Sequence, residues 1–264
     1  MSRLVEKLIA FGQSLYRNER SYQDYVECIN AIWHKREDFR NRLSGAWLLA
    51  SRWKSREPTT HRAPVTPDIG RALFVWGIAC RNFRFSVFVL VCFYGGLRPG
   101  EALELQFRDL KFIENVLFLV IRDPKSEALA ATQSVTVHDP SAVAFVKRFY
   151  VSQKYLGYDQ SIIFSEYRLR SVWRQVSSDL DLPKIITPQS LRAGCATAMR
   201  RLGCTSDVIR LRLRHADVNT LNSYVQELAE AELSLTPSSA VLRFSQRFDT
   251  IIEFYSTRPY EVWH

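Results

Sequence analysis

The stretch Tyr94-Gly-Gly-Leu-Arg-Pro-Gly-Glu101 decides how the middle of this 264-residue chain is organised. The residues before it, 83–94, form an apolar run that predicts a buried helix, and the two glycines predict a turn that ends it. Pro99 favours the first position of a new helix. Glu101 lies three residues after Arg98 on one helix face, so an arginine stands at the junction of two predicted helices.

Helical patterns dominate the sequence on both sides of this stretch. Apolar residues recur at helical spacing in the N-terminal block, and three prolines within residues 57–67 predict a linker. Thr66-Pro67-Asp68 has the cap hydroxyl, the proline and the acidic residue of a helix start. Further helices are predicted at 67–80, 142–155, 169–178, 190–202, 206–213, 219–231 and 240–255.

Two β-rich runs, 115–121 and 133–137, interrupt the helices and predict a hairpin with a long polar connection. The sequence therefore predicts a mainly α fold with a small antiparallel β-sheet, divided into a small helical domain and a larger mixed α/β domain. We expect these domains at 1–58 and 67–229, with a linker at 59–66 and a tail at 230–264.

Composition excludes several classes of protein. Hydrophobic residues make up 47% and charged residues 24%, which excludes wholesale disorder. No apolar run approaches the roughly 18 residues of a membrane helix, and the N-terminus lacks the apolar core of a secretory signal. The five cysteines and five histidines are scattered, so they predict no disulfide framework and no metal site. We expect a soluble intracellular protein.

The net charge of +9 is concentrated in two blocks. Residues 1–66 carry +5 and residues 167–214 carry +7, whereas residues 67–166 carry +1 and residues 215–264 carry −4. Two separated basic blocks indicate either a polyanion held from two sides or ordinary solvated helix faces. The acidic tail is a poor DNA contact and is better suited to docking on a basic protein surface.

The residues able to carry chemistry follow one another in a definite order. No nucleotide-binding glycine loop, nucleophile elbow or zinc-protease motif is present. After Arg98 comes the stretch Thr187-Pro-Gln-Ser-Leu-Arg-Ala-Gly-Cys-Ala-Thr197. His215 lies 23 residues after Arg192, and Tyr224 lies nine residues after His215.

This order resembles the tyrosine recombinases of the phage-integrase family. Their first box reads roughly T-G-L-R-x-x-E-L, their second reads H-x-L-R-H-x-x-A-T, and L-G-H and a tyrosine follow. The resemblance covers residues 67–226 in detail, and residues 1–58 resemble a short core-binding domain. It implies a site-specific recombinase or integrase that cleaves and rejoins DNA through a 3′-phosphotyrosyl intermediate, without a metal, ATP or another cofactor.

The resemblance assigns the phosphate contacts to two arginines. Arg98 and Arg192 would each donate paired hydrogen bonds to the non-bridging oxygens of the scissile phosphate. Glu101 would support this region and not react. Gln189 stands where the family usually has histidine or lysine, and glutamine can donate a hydrogen bond but cannot carry charge or move a proton. This departure indicates either slower chemistry or a protein that only binds DNA.

The resemblance also assigns the covalent and proton-transfer steps. Tyr224 would be the nucleophile, and His215 would bind a phosphate oxygen or take the tyrosine proton. Lys125, in the hairpin connection, would be the general acid for the 5′-oxygen leaving group. Lys111, placed just before the first predicted strand, is the rival for that role.

The resemblance implies a clamp in which the two domains enclose double-stranded DNA, with a homotetramer assembled on paired sites. The tail after Tyr224 would dock onto a neighbouring protomer. Two other functions stay open: a type IB topoisomerase-like enzyme that nicks and rejoins one duplex, and a non-catalytic DNA-binding protein on the same scaffold. No membrane and no small-molecule cofactor is expected as a partner.

Overall fold

A computed structural model describes residues 3–56, 63–122, 133–153, 157, 160–214 and 235–257. The chain divides into two compact units, Met1–Thr60 and His61–His264. The mainly helical fold with one small antiparallel sheet confirms the predicted fold class. The helix predicted at 219–231 lies outside the described residues. None of the helices within the described ranges is long and apolar enough to cross a membrane.

The first unit has an aromatic core. It consists of α1 (Arg3–Arg17), α2 (Tyr22–Lys35), a 3-10 helix (Glu37–Arg42) and α3 (Ser44–Lys54). The ring of Tyr25 is fully buried and stacks on Trp53, with 6.0 Å between the ring centroids. Gly12 of α1 permits this packing, because a Cβ at that position would overlap the Tyr25 ring. Burial raises the pKa of Tyr25 to about 12.

In the described part of the second unit, the helices pack around one apolar helix, Phe83–Tyr94. They are α4 (Pro67–Ala79), α5 (Phe83–Tyr94), α6 (Pro99–Glu104), α7 (Pro140–Ser152), α8 (Glu166–Asp179), α9 (Ser190–Arg201), α10 (Ser206–Leu213), α11 (Ser239–Ser245) and α12 (Phe248–Thr257). Nine consecutive residues of α5, from Phe85 to Phe93, are buried. Thr66 caps α4 as predicted, since its Oγ1 accepts the N–H of Ile69 at 3.3 Å. These helices fix the position of the turn that carries Arg98.

The sheet has three strands, one more than the predicted hairpin. The strands are β1 (Leu110–Ile113), β2 (Val116–Ile121) and β3 (Gln133–Val137), in the order β1-β2-β3 and antiparallel throughout. The prediction missed β1 because four residues are too few to show an alternating pattern. Lys111, predicted to precede the first strand, lies within β1 with its side chain exposed.

The single helix predicted at 240–255 is two helices, α11 and α12. The N–H of Arg247 donates to the carbonyl of Phe244, three residues back, and this tightened turn separates the two helices. The buried residues Val241 and Phe248 keep helical spacing across the break, so periodicity gives no sign of it. Both helices pack in the core of the second unit.

Candidate active site

The turn after α5 packs closely against the end of α10. Gly96 has a backbone φ of +64°, a conformation that favours glycine. A Cβ at this position would lie 2.8 Å from Cδ2 of Leu213, so a side chain here would displace α10. Gly194 of α9 makes a similar approach, because its Cβ would overlap the carbonyl of Val65. Gly96 thus allows the turn to meet α10, and Gly194 allows α9 to approach the segment before α4.

Arg98 directly precedes α6 and is tied to Glu101. Its backbone N–H donates to Oε2 of Glu101 at 2.8 Å, and its Nη1 donates to Oε1 at 2.8 Å. The side chain of Glu101 is 5% exposed, whereas that of Arg98 is 25% exposed. In the described part of the chain, Nε and Nη2 of Arg98 have no hydrogen-bond acceptor. Two donors on a partly exposed guanidinium are therefore available to a ligand.

Arg214 follows α10 and pairs with the same carboxylate. Its Nη2 donates to Oε2 of Glu101 at 2.5 Å. Its backbone is left-handed, with φ 52° and ψ 45°, which costs a residue other than glycine about 1–2 kcal/mol. Burial lowers the pKa of the Arg214 guanidinium; Glu101 opposes this change and Arg98 adds to it. Glu101 therefore holds two arginines, and the three side chains together carry one net positive charge.

Arg192 links the two segments that carry these arginines. Its side chain projects from α9, and the residue is only 2% exposed. Nη1 donates to the carbonyl of Gly96 at 2.6 Å, and Nη2 donates to the carbonyl of Leu213. These carbonyls lie two residues before Arg98 and one residue before Arg214. Arg192 thus holds the two segments against each other.

Gln189 stands directly before α9 and lines a cleft of about 780 Å³. Pro99 and Gly100, at the start of α6, line the same cleft. The side chain of Gln189 is partly exposed and makes no hydrogen bond with the described residues. The cleft therefore joins the start of α9 to the residues that follow Arg98.

The predicted site residues divide into two groups. The structure gathers Arg98, Arg192 and Glu101 into one cluster and places Gln189 on the adjoining cleft. The other three predicted residues lie outside the described residues: Lys125, His215 and Tyr224. No group of three or more His, Cys, Asp or Glu side chains that could hold a metal occurs within the described ranges.

The sequence predictions do not include Arg214, although one signal was present. Arg214 stands directly before His215, where the L-G-H pattern of the family has glycine. Glycine adopts a left-handed backbone at little cost, so an arginine in that conformation must be held by another interaction. In this structure the ion pair with Glu101 supplies it.

The sequence is similar to that of a curated transposase. Transposase A from transposon Tn554 of Staphylococcus aureus is 29% identical over 161 residues. The match covers 56% of this chain and 45% of the transposase, so the chain spans less than half the length of this relative.

Solved structures show a similar fold. The XerA recombinase has a TM-score of 0.50 and 20% identity, with 95% of this chain and 93% of that chain covered. The Tn1549 transposon integrase in complex with transposon right end DNA has a TM-score of 0.59 and 14% identity, with 87% and 84% covered. The model of the phage integrase family matches residues 75–231, more than half of the chain. The chain therefore belongs to the phage integrase family.

Proposed function

We propose that this chain is a site-specific DNA recombinase or integrase that breaks and rejoins DNA strands through a 3′-phosphotyrosyl intermediate, without metal or ATP. The observation that carries the proposal is the cluster of Arg98, Arg192 and Glu101, which come from distant parts of the sequence. Phosphodiester cleavage builds negative charge on the non-bridging oxygens, and fixed guanidinium groups stabilise such charge. Membership of the phage integrase family supports the same chemistry.

The two arginines of the proposed site differ in exposure and in hydrogen-bond partners before DNA binds. Arg98 is better placed for direct contact with a phosphate, because its side chain is partly exposed and two of its nitrogens have no acceptor among the described residues. Arg192 is buried and donates to two carbonyls. It would contact the phosphate once DNA binding redirects one of these donors, since catalytic hydrogen bonds often tighten only in the substrate complex.

We assign the covalent step to Tyr224, which would attack the phosphorus and leave a free 5′-hydroxyl. The covalent bond conserves the energy of the phosphodiester, so rejoining needs no ATP. His215 would bind a phosphate oxygen or accept the tyrosine proton, and Lys125 would protonate the leaving oxygen. The anchoring of Arg214 on Glu101 supports the role of His215, because consecutive Cα atoms are only about 3.8 Å apart.

Double-stranded DNA is the proposed partner. In the first unit, a cleft of about 300 Å³ is lined by Arg17, Arg52 and Arg56 together with aromatic rings. Guanidinium groups in such a position suit the DNA backbone, and the binding they support should weaken steeply with salt. We propose that the chain acts as a homotetramer on paired DNA sites.

Two observations favour a second candidate, a non-catalytic DNA-binding protein. Gln189 cannot move a proton, and the Nη donors of Arg192 are already engaged. This candidate predicts DNA binding that Tyr224→Phe leaves unchanged, with no covalent adduct.

Covalent trapping tests the proposed function. Wild type, Tyr224→Phe and Tyr167→Phe would be incubated with supercoiled plasmid and random-sequence duplexes in EDTA, without ATP. Tyr167 is 81% exposed on α8 and serves as the matched control. We expect wild type and Tyr167→Phe, but not Tyr224→Phe, to give a 3′ protein–DNA adduct on denaturing gels. An adduct that persists in Tyr224→Phe contradicts the nucleophile assignment, and relaxed plasmid without strand exchange favours the topoisomerase-like activity.

A further inference from the structure

Glu101 bridges two arginines, Arg214 and Arg98, that differ in their exposure. Arg214 and Glu101 are buried, whereas the side chain of Arg98 is a quarter exposed. Of these two arginines, only Arg98 is accessible to a DNA phosphate in this structure. A direct phosphate contact therefore does not explain the buried arginine.

Among the described residues, Glu101 is the one hydrogen-bond partner of the Arg214 side chain. Its Nε and Nη1 are buried and have no hydrogen-bond partner among the described residues, and its Nη2 donates to Oε2 of Glu101. Leaving buried guanidinium donors without acceptors costs free energy. With the described residues, Arg214 therefore forms fewer hydrogen bonds than its side chain could make. The ion pair with Glu101 is what holds it.

The guanidinium of Arg214 limits how Glu101 can bind the guanidinium of Arg98. A carboxylate and an arginine readily form a bidentate pair with two parallel hydrogen bonds. Here Oε2 accepts from Arg214 and from the backbone N–H of Arg98, and the side chain of Arg98 donates through Nη1 to Oε1. The Nε and Nη2 donors of Arg98 stay free of Glu101.

We propose that Arg214 is a positioning residue that engages Glu101, prevents a bidentate Arg98–Glu101 pair and so keeps the free donors of Arg98 directed at the DNA phosphate. The inference rests on the proposed function, because it takes a phosphodiester as the ligand of Arg98. Without Arg214, the full charge of Glu101 would act on Arg98 and draw its guanidinium away from the phosphate.

Salt-dependent binding of a random-sequence duplex, followed by fluorescence anisotropy, tests the proposal in the Tyr224→Phe protein, where no covalent step interferes. Arg214→Gly is the informative variant, because glycine suits the left-handed backbone and the fold is not weakened on that account. We expect the slope of log K against log salt to become shallower by about 0.9, the value for one phosphate contact. Adding Glu101→Gln to Arg214→Gly should restore the slope, because a neutral amide no longer holds Arg98.

Two further variants separate positioning from a general effect on the fold. Arg214→Lys keeps a cation for Glu101 and should retain the wild-type slope. Arg84→Met removes a partly buried arginine that donates to the carbonyls of Ser161 and Ile163, and it should lower the thermal midpoint without changing the slope.

A slope that stays low after Glu101→Gln overturns the proposal, because it means that Arg214 itself contacts the DNA. An unchanged slope in Arg214→Gly overturns it as well. The outcome is separable from that of the proposed function: adduct formation by wild type with no slope change refutes only the role of Arg214. The predicted slope pattern without any adduct refutes only the reaction.

Discussion

Two buried carboxylates of the second unit are built alike but differ in their partners. Glu101 accepts the backbone N–H of Arg98 at the start of α6, and Asp109 accepts the backbone N–H of Gln106 at the start of the 3-10 helix Phe107–Asp109. Each carboxylate also pairs with at least one arginine side chain. The local structure of the two sites is therefore nearly the same.

The difference lies in the charge balance. Within the described ranges, Asp109 pairs with Arg122, which gives a neutral pair, whereas Glu101 pairs with Arg98 and Arg214 and leaves a net positive charge. A neutral pair in which the carboxylate is buried satisfies its own charges and has a structural role. A site with excess positive charge and hydrogen-bond donors that lack acceptors is suited to bind an anion. The comparison shows that the count of partners, and not burial, distinguishes the candidate site.

The largest expected effect separates the two sites by activity. Arg98→Met removes donors that the proposal assigns to the phosphate, so the rate of covalent adduct formation should fall by on the order of 10²–10³. Arg122→Met should leave that rate close to wild type. Gel-based rates at saturating DNA provide the measurement, and equal losses in both variants would contradict the different roles of Glu101 and Asp109.

A smaller effect separates the sites by stability. Arg122→Met leaves the Asp109 carboxylate buried without its ion-pair partner, so the free energy of unfolding should fall by about 1–3 kcal/mol. The lower part of this range applies, because the Arg122 side chain is 39% exposed and solvent screens the pair. Arg214→Met should cost less, since Glu101 keeps Arg98. Urea denaturation followed by circular dichroism measures both, and a larger loss in Arg214→Met would contradict the charge balance described here.

The smallest effect uses a buried thiol as a probe of the positive charge. Burial raises the pKa of Cys195 to about 11, although Arg212, Arg192 and Arg214 each lower it. Arg214→Met removes one of these charges, so the pKa should rise further and alkylation of Cys195 should begin at higher pH. Arg122→Met should leave the profile unchanged. Mass spectrometry across alkaline pH reads the result, with the exposed Cys80 as reference, and a shift to lower pH would refute the assignment.

Helix positions were predictable wherever a cap coincides with the apolar pattern. α10 has the predicted bounds, and Thr66 marks the start of α4. Two other helices begin earlier than predicted, at Pro140 and Glu166, because Asp139 and Ser165 cap them before the apolar pattern begins. The periodicity alone therefore sets the interior of a helix better than its first turn.

The family, the helical fold and the closeness of Arg98 and Glu101 are predictable from the sequence, because helical spacing and short motifs are local properties of the chain. Tertiary packing, in contrast, brings Arg214 to Glu101 and places Arg192 between the carbonyls of Gly96 and Leu213. These contacts join residues from different helices, and their geometry depends on how the glycine turn packs against α9 and α10. Pairing across such distances is set by packing, which no local pattern encodes.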